Sequence, residues 1–148
     1  MKRLLPLILA LLAQAQAQAP QLPVYDAELA RQLGADEHGM KMYVLALLKT
    51  GPRTGLPKAD IDKAFAGHMA NINRLATAGS LIFAGPLGKN DRYRGLFIFN
   101  VSKTAEAEAL IATDPAVQAG LLAAETYPFY GSAALQQVNA LHNRISRD

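Results

Sequence analysis

Apolar and polar positions change rhythm along this chain in a way that separates strands from helices. Met40 to Lys49 (MKMYVLALLK), Leu81 to Leu87 (LIFAGPL), Tyr93 to Val101 (YRGLFIFNV) and Ala124 to Tyr130 (AETYPFY) are short apolar runs, flanked for the most part by Gly, Pro or Asn, and they predict four strands. Asp60 to Ala78 repeats its apolar residues at helical spacing instead. Ile61, Phe65, Met69, Ile72 and Leu75 share one stripe, and Gly79 stops the helix. Ser102 or Thr104 can cap a second helix running to about Ala112, with Glu106 in its first turn, and Asp114-Pro115 opens a further turn. A short helix from Asp26 to Leu33 precedes the first strand, capped by Asp26 and ended by Gly34. A last helix, Ala133 to Arg144, carries Leu135, Val138, Leu141 and Ile145 on one side.

Strand-helix-strand-strand-helix-strand is the split βαβ, or ferredoxin-like, order. The fold class is therefore α+β: an antiparallel sheet with helices on one face and an extra C-terminal helix. Pro128 predicts that the fourth strand lies at an edge or carries a bulge. A sheet covered on one face should alternate apolar with polar, but Val44-Leu45-Ala46-Leu47-Leu48 and Leu96-Phe97-Ile98-Phe99 are apolar at every position. Both faces of those strands call for burial. A second copy packed sheet to sheet answers that, so a homodimer is expected; the alternative is that the C-terminal helix folds across the open face.

The N-terminus adds a compartment. Lys2 and Arg3, the apolar run Leu4 to Ala13 and the small-residue step Ala15-Gln16-Ala17 predict a secretory signal peptide over residues 1–17. The run is too short to span a bilayer, which weighs against the alternative of an amphipathic or membrane anchor helix; no second apolar stretch is long enough to anchor the mature chain, and the protein is expected to be exported, periplasmic or secreted. Residues 18–39 then form a leader with its short helix, 40–131 the main domain and 132–148 the C-terminal helix. With 51% hydrophobic and 18% charged residues, the chain has the makings of a core and not of a disordered polyelectrolyte. Removing Lys2 and Arg3 from the 15 basic residues leaves 13 against 12 acidic ones, a formal charge of +1. That balance excludes nucleic acid as a partner. There is no cysteine, hence no disulfide or thiolate chemistry.

Chemistry concentrates on one helix. His68 falls inside the apolar stripe between Leu75 and Ile72, where an imidazole must find hydrogen-bond partners and changes charge near neutral pH. The plainer reading is a satisfied core histidine. Asp114 before Pro115 has the form of a helix cap, yet a carboxylate could also fix the tautomer of His68. Arg53, Arg92 and Arg94 sit in or beside loops and can grip an anionic ligand, although such arginines are more often solvated. The Gly51 to Pro57 loop can act as a lid over a pocket. Glu37 and His38 have no third ligand at useful spacing, so no metal site is expected, and no other cofactor is expected because acid–base chemistry at His68 needs none. His142, near the chain end, reads as surface.

Gly67-His68-Met69-Ala70-Asn71-Ile72-Asn73-Arg74-Leu75, Ala78-Gly79-Ser80-Leu81, Ala84-Gly85-Pro86, the strand around Gly95-Leu96-Phe97, Thr113-Asp114-Pro115, Ala119-Gly120-Leu121 and Tyr127-Pro128-Phe129 resemble the YCII-related (YciI-like) family in content and order. The likeness runs from about Met42 to Tyr130. It implies a ferredoxin-like dimer of the dimeric α-β barrel superfamily with a pocket beside the histidine-bearing helix. It also implies an active-site His paired with the Asp of the Asp-Pro step, here His68 and Asp114. Some members are linked to dehydrochlorination of a chlorinated hydroquinone. Ala64, Phe65 and Ala66 stand where members often carry an arginine, and Ala116 where an aromatic is common, so the substrate stays open.

Two functional readings follow. One is a small-molecule enzyme of lyase- or isomerase-like type, with His68 as general acid or base, Asp114 orienting it, and Gly85, Pro86, Arg53, Arg92 and Arg94 around the substrate. The other is a non-catalytic dimeric ligand-binding or assembly module of the cell envelope.

Overall fold

The computed structural model describes residues 24–147; the expected signal peptide at 1–17 and residues 18–23 of the leader lie outside them. The elements are α1 (Ala27–Leu33), β1 (Met40–Thr50), α2 (Lys58–Thr77), β2 (Leu81–Pro86), β3 (Gly95–Phe99), α3 (Thr104–Ile111), α4 (Pro115–Gln118), β4 (Leu122–Ser132), a 3-10 segment (Ala133–Gln137) and α5 (Val138–Ile145). All neighbouring strands pair antiparallel in the order β2-β3-β1-β4, the ferredoxin-like arrangement. Pro128 does lie on an edge strand, where a missing N–H can face away from the ladder.

The register divides the sheet into two faces. Val44 and Phe99, Ala46 and Phe97, and Leu48 and Gly95 stand opposite one another and point toward the helices. Val44, Ala46, Leu48, Phe97 and Phe99 join Leu75 of α2, Leu81 of β2, Ala107 and Ile111 of α3, and Leu122 in one buried core. Each large side chain removed from water there contributes roughly 1.5–3 kcal/mol. Leu45 and Ile98, Leu47 and Leu96, and, on β4, Tyr127 and Phe129 occupy the other face.

Helices cover only one face, and the second is partly screened. Tyr43 is fully buried there, and its hydroxyl donates to the Ser132 carbonyl at 3.1 Å. Gln136 of the 3-10 segment accepts from Asn100 at 3.3 Å and donates to the Leu33 carbonyl at 2.7 Å, tying α1 and the C-terminal segment over that end. The helix itself does not cross the face. α5 rests on the β2 edge, where the Asn139 amide donates to the Leu81 carbonyl at 2.8 Å. Leu45, Leu47, Leu96 and Ile98 are left half-buried and Phe83 and Tyr127 exposed.

Several local expectations shift. Neither Ser102 nor Thr104 caps α3; Lys103 holds the cap position, and its backbone N–H donates to Glu106 at 3.3 Å, so the first-turn carboxylate supplies the partner. Tyr93 and Arg94 belong to the hairpin loop and β3 starts at Gly95, because Asn90 gathers the backbone N–H groups of Arg92 and Tyr93 into a side-chain turn. The C-terminal helix begins with 3-10 turns, and Leu141 and Ile145 are exposed, so its apolar side is buried only at its start. On α2, burial centres on Ala64, Asn71 and Leu75, while Phe65 and Met69, both on the predicted stripe, remain exposed. The helix is rolled, and those two side chains border a cavity and not the core.

Candidate active site

α2 and α4 meet at unusually close range. A Cβ on Gly67 would sit 2.8 Å from Cγ and 2.9 Å from Cβ of Pro115, so only a residue without a side chain lets the helix settle onto that proline. The contact brings the next residue, His68, to Asp114: Nδ1 lies 2.6 Å from Oδ2. The carboxylate is 1% exposed. Its other oxygen, Oδ1, accepts from the Ala116 backbone N–H at 2.8 Å and caps α4. The cap and the histidine partner are thus one side chain using two oxygens. Burial pushes the Asp114 carboxyl upward, but the bonds from His68 and the Ala116 N–H, with the attraction of the imidazole, outweigh it and hold the group below the usual carboxylate range.

A carboxylate only accepts, so Nδ1 carries the hydrogen it shares with Asp114, and in the neutral ring Nε2 bears the lone pair. Phe97 stacks on the imidazole at 6.0 Å and 24°, and Phe65 meets it edge-on at 6.1 Å. The ring is held from two sides and by one bond.

His68 lines a cavity of about 410 Å³. Leu48, Phe65, Met69, Ile72, Phe97 and Leu122 supply apolar walls, Ala84, Gly85, Pro86 and Gly95 the strand side, and Arg94 a cation. Of the residues expected from the sequence, the fold therefore gathers His68, Asp114, Gly85, Pro86 and Arg94. Arg53 and Arg92 are elsewhere. Arg53 lies against Gly120, to whose carbonyl its backbone N–H donates at 3.0 Å. Arg92 lies over the Tyr93 ring and 3.7 Å from Glu125 on the open side of the sheet. There Glu125 accepts from Lys49 at 2.7 Å, Tyr93 at 3.0 Å and Tyr127 at 3.1 Å, which draw its carboxyl down to about 2. The loop at 51–57, expected as a lid, is tied to the start of β4 by Gly51 and Arg53, and none of its residues lines the cavity. Among the described residues no three His, Asp or Glu side chains converge as metal ligands.

Two contributors escape a reading by residue type. Gly67 is one; its signal is a glycine inside an otherwise strong helix. The second is the brace that holds the Asp114 loop. Asn71, buried one turn after His68, accepts from Arg74 at 2.7 Å, and Arg74 also donates to the Thr113 hydroxyl at 2.9 Å. No sequence signal marks it, because the burial of Asn71 depends on how α2 is rolled against the core.

Comparison with curated proteins finds no match. Among solved structures, the 5-chloro-2-hydroxyhydroquinone dehydrochlorinase TftG of Burkholderia phenoliruptrix AC1100, in complex with 2,5-dihydroxybenzoquinone, is similar at 24% identity, over 57% of this chain and 92% of that one, with a TM-score of 0.40. The model of the YCII-related domain matches residues 42–129, a span that takes in the helix bearing His68, the Asp-Pro step, all of β2 and β3 and most of β1 and β4, and with more than half of its length so matched the chain belongs to the YCII-related domain family.

Proposed function

We propose that this protein is an exported small-molecule enzyme in which His68 gives or takes a proton through Nε2 while Asp114 fixes its tautomer. The observation that carries the reading is the 2.6 Å contact between His68 Nδ1 and Asp114 Oδ2 at the wall of a cavity of about 410 Å³. That volume suits a compact organic ligand. Walls of Phe65, Phe97, Ile72 and Leu122 favour a flat, apolar body, and Arg94 favours an acidic oxygen on it. A proton-shuffling elimination or isomerisation fits such a site.

The same reading has two further parts. The uncovered sheet face, with Leu45, Leu47, Leu96 and Ile98 half-buried and Phe83 exposed, supports a homodimer that packs sheet on sheet. The pattern of residues 1–17 supports export; N-terminal sequencing of the protein recovered outside the cytoplasm checks it, and retention of Lys2 and Arg3 contradicts it.

The site is tested by titrating phenol, a ring-sized acidic probe, while following the His68 ring by 15N NMR. Perturbation at Nε2 with Nδ1 still bonded supports the reading; unchanged resonances up to ~10 mM phenol overturn it. His68→Gln, which retains a hydrogen-bonding side chain beside Asp114, should abolish the response and lower the melting temperature only slightly. A large loss of stability with phenol binding intact makes the histidine structural and favours the non-catalytic envelope module.

A further inference from the structure

A second cavity, of about 440 Å³, adjoins the first. Met69, Ile72 and Ala84 border both, so these three side chains form a shared partition. One of them is movable. Met69 is 55% exposed and unbranched, and its thioether chain can swing toward solvent without opening the core.

The far wall comes from α5, which lies beyond the span that matches the family domain. No residue of α5 is buried, and among the described residues it reaches the body through the β2 edge and the 3-10 segment. A groove lies between it and α2. Its inward residues are Val138, Asn139, His142 and Asn143, and α2 answers with Asn73. The Asn139 amide nitrogen is engaged with the Leu81 carbonyl, which leaves its oxygen as an acceptor. Among the described residues no Asp, Glu, Lys or Arg lines this groove, His142 being its one titratable side chain, whereas Arg94 lines the first cavity.

We infer that the C-terminal helix builds a second binding subsite, continuous with the His68 cavity past Met69, for an uncharged arm of the ligand bearing amide or hydroxyl groups. The inference rests on the proposed reading of the first cavity as a ligand site. The ligand class then has two parts, a flat acidic ring beside His68 and a neutral hydrogen-bonding arm between α2 and α5. Carboxamides donate and accept and do not select for charge, which is the chemistry such an arm requires.

N-acetyltyramine, a phenol with a neutral amide arm, is the probe, and phenol is its armless control. Binding to the full mature chain is followed by calorimetry and by the side-chain amide signals of Asn73 and Asn143. N-acetyltyramine should bind about tenfold more tightly than phenol and perturb both amides. The double variant N73A/N143A should lose that advantage and keep phenol affinity unchanged; both residues are exposed, so the variant retains the fold. Equal affinity of the two probes, or an advantage that survives the double substitution, overturns the inference. If phenol leaves His68 unperturbed while N-acetyltyramine still perturbs Asn73 and Asn143 in a variant-sensitive way, the groove stands and the reading of the His68 cavity fails.

Discussion

Removing the Asp114 carboxylate separates its two jobs. In Asp114→Ala, His68 loses the 2.6 Å bond at Nδ1 and the Ala116 N–H loses its 2.8 Å acceptor, both at a residue that is 1% exposed. A hydrogen bond to a charged group contributes about 1.5–3 kcal/mol and a helix cap about 1 kcal/mol. The expected loss is about 2.5–4 kcal/mol, and the melting temperature should fall by roughly 10 °C. Asp114→Asn is more discriminating. Its amide oxygen can still cap α4, but its nitrogen must donate to Nδ1, which drives the imidazole hydrogen to Nε2. Stability should drop by only about 1–2 kcal/mol, while 15N NMR should show Nε2 turning from a lone-pair nitrogen into a protonated one. Denaturant melts of both variants with the ring spectra are the assay. An alanine variant within about 1 kcal/mol of the parent, or an asparagine variant with an unchanged tautomer, refutes the assigned roles.

Acid gives a related expectation. Because the folded Asp114 carboxyl titrates below its usual range, its contribution is complete above the unfolded value and is lost as pH falls through the folded one. Unfolding stability should decline below about pH 4, and Asp114→Asn should flatten that decline in pH-dependent melts. Gly67→Ala, which on an ordinary helix gains up to about 1 kcal/mol, should instead cost about 1–3 kcal/mol and weaken the phenol response, because its methyl meets Pro115 at 2.8 Å; an unchanged melt and NMR spectrum contradict this. Ile98→Glu, at the middle of the open face, should convert a dimeric mass to a monomeric one by light scattering, with the unfolding of each chain little altered. A parent protein that is monomeric at high concentration removes the basis for that test.

The order of elements was legible because each obeys a local rule. Alternation and apolar runs make strands, helical spacing makes α2, Asp26 and Gly34 bracket α1, and the order of these pieces admits a ferredoxin-like sheet. Pro128 at an edge followed from a missing donor alone. His68 was conspicuous as a polar residue on an apolar stripe, and Asp114 as the residue before a proline at a helix start. Which side of α2 would enter the core was not legible. The stripe predicts that Phe65 and Met69 are buried, yet Ala64 and Asn71 take that place.

The amino-acid order by itself determined the strands, the helices, the missing thiols and the placing of a histidine within an apolar stripe and of an aspartate before a helix-opening proline, since these depend on neighbours within a few residues. Only the tertiary structure decided that Asp114 uses one oxygen to cap α4 and the other to hold an imidazole 46 residues away in sequence. It alone decided that Arg94 borders the cavity while Arg53 and Arg92 do not, and that a groove lies between α5 and α2. The reason is one of range. Periodicity and caps are local, whereas the roll of a helix is set by the close approach of Gly67 to Pro115 and by the packing of side chains distant along the chain.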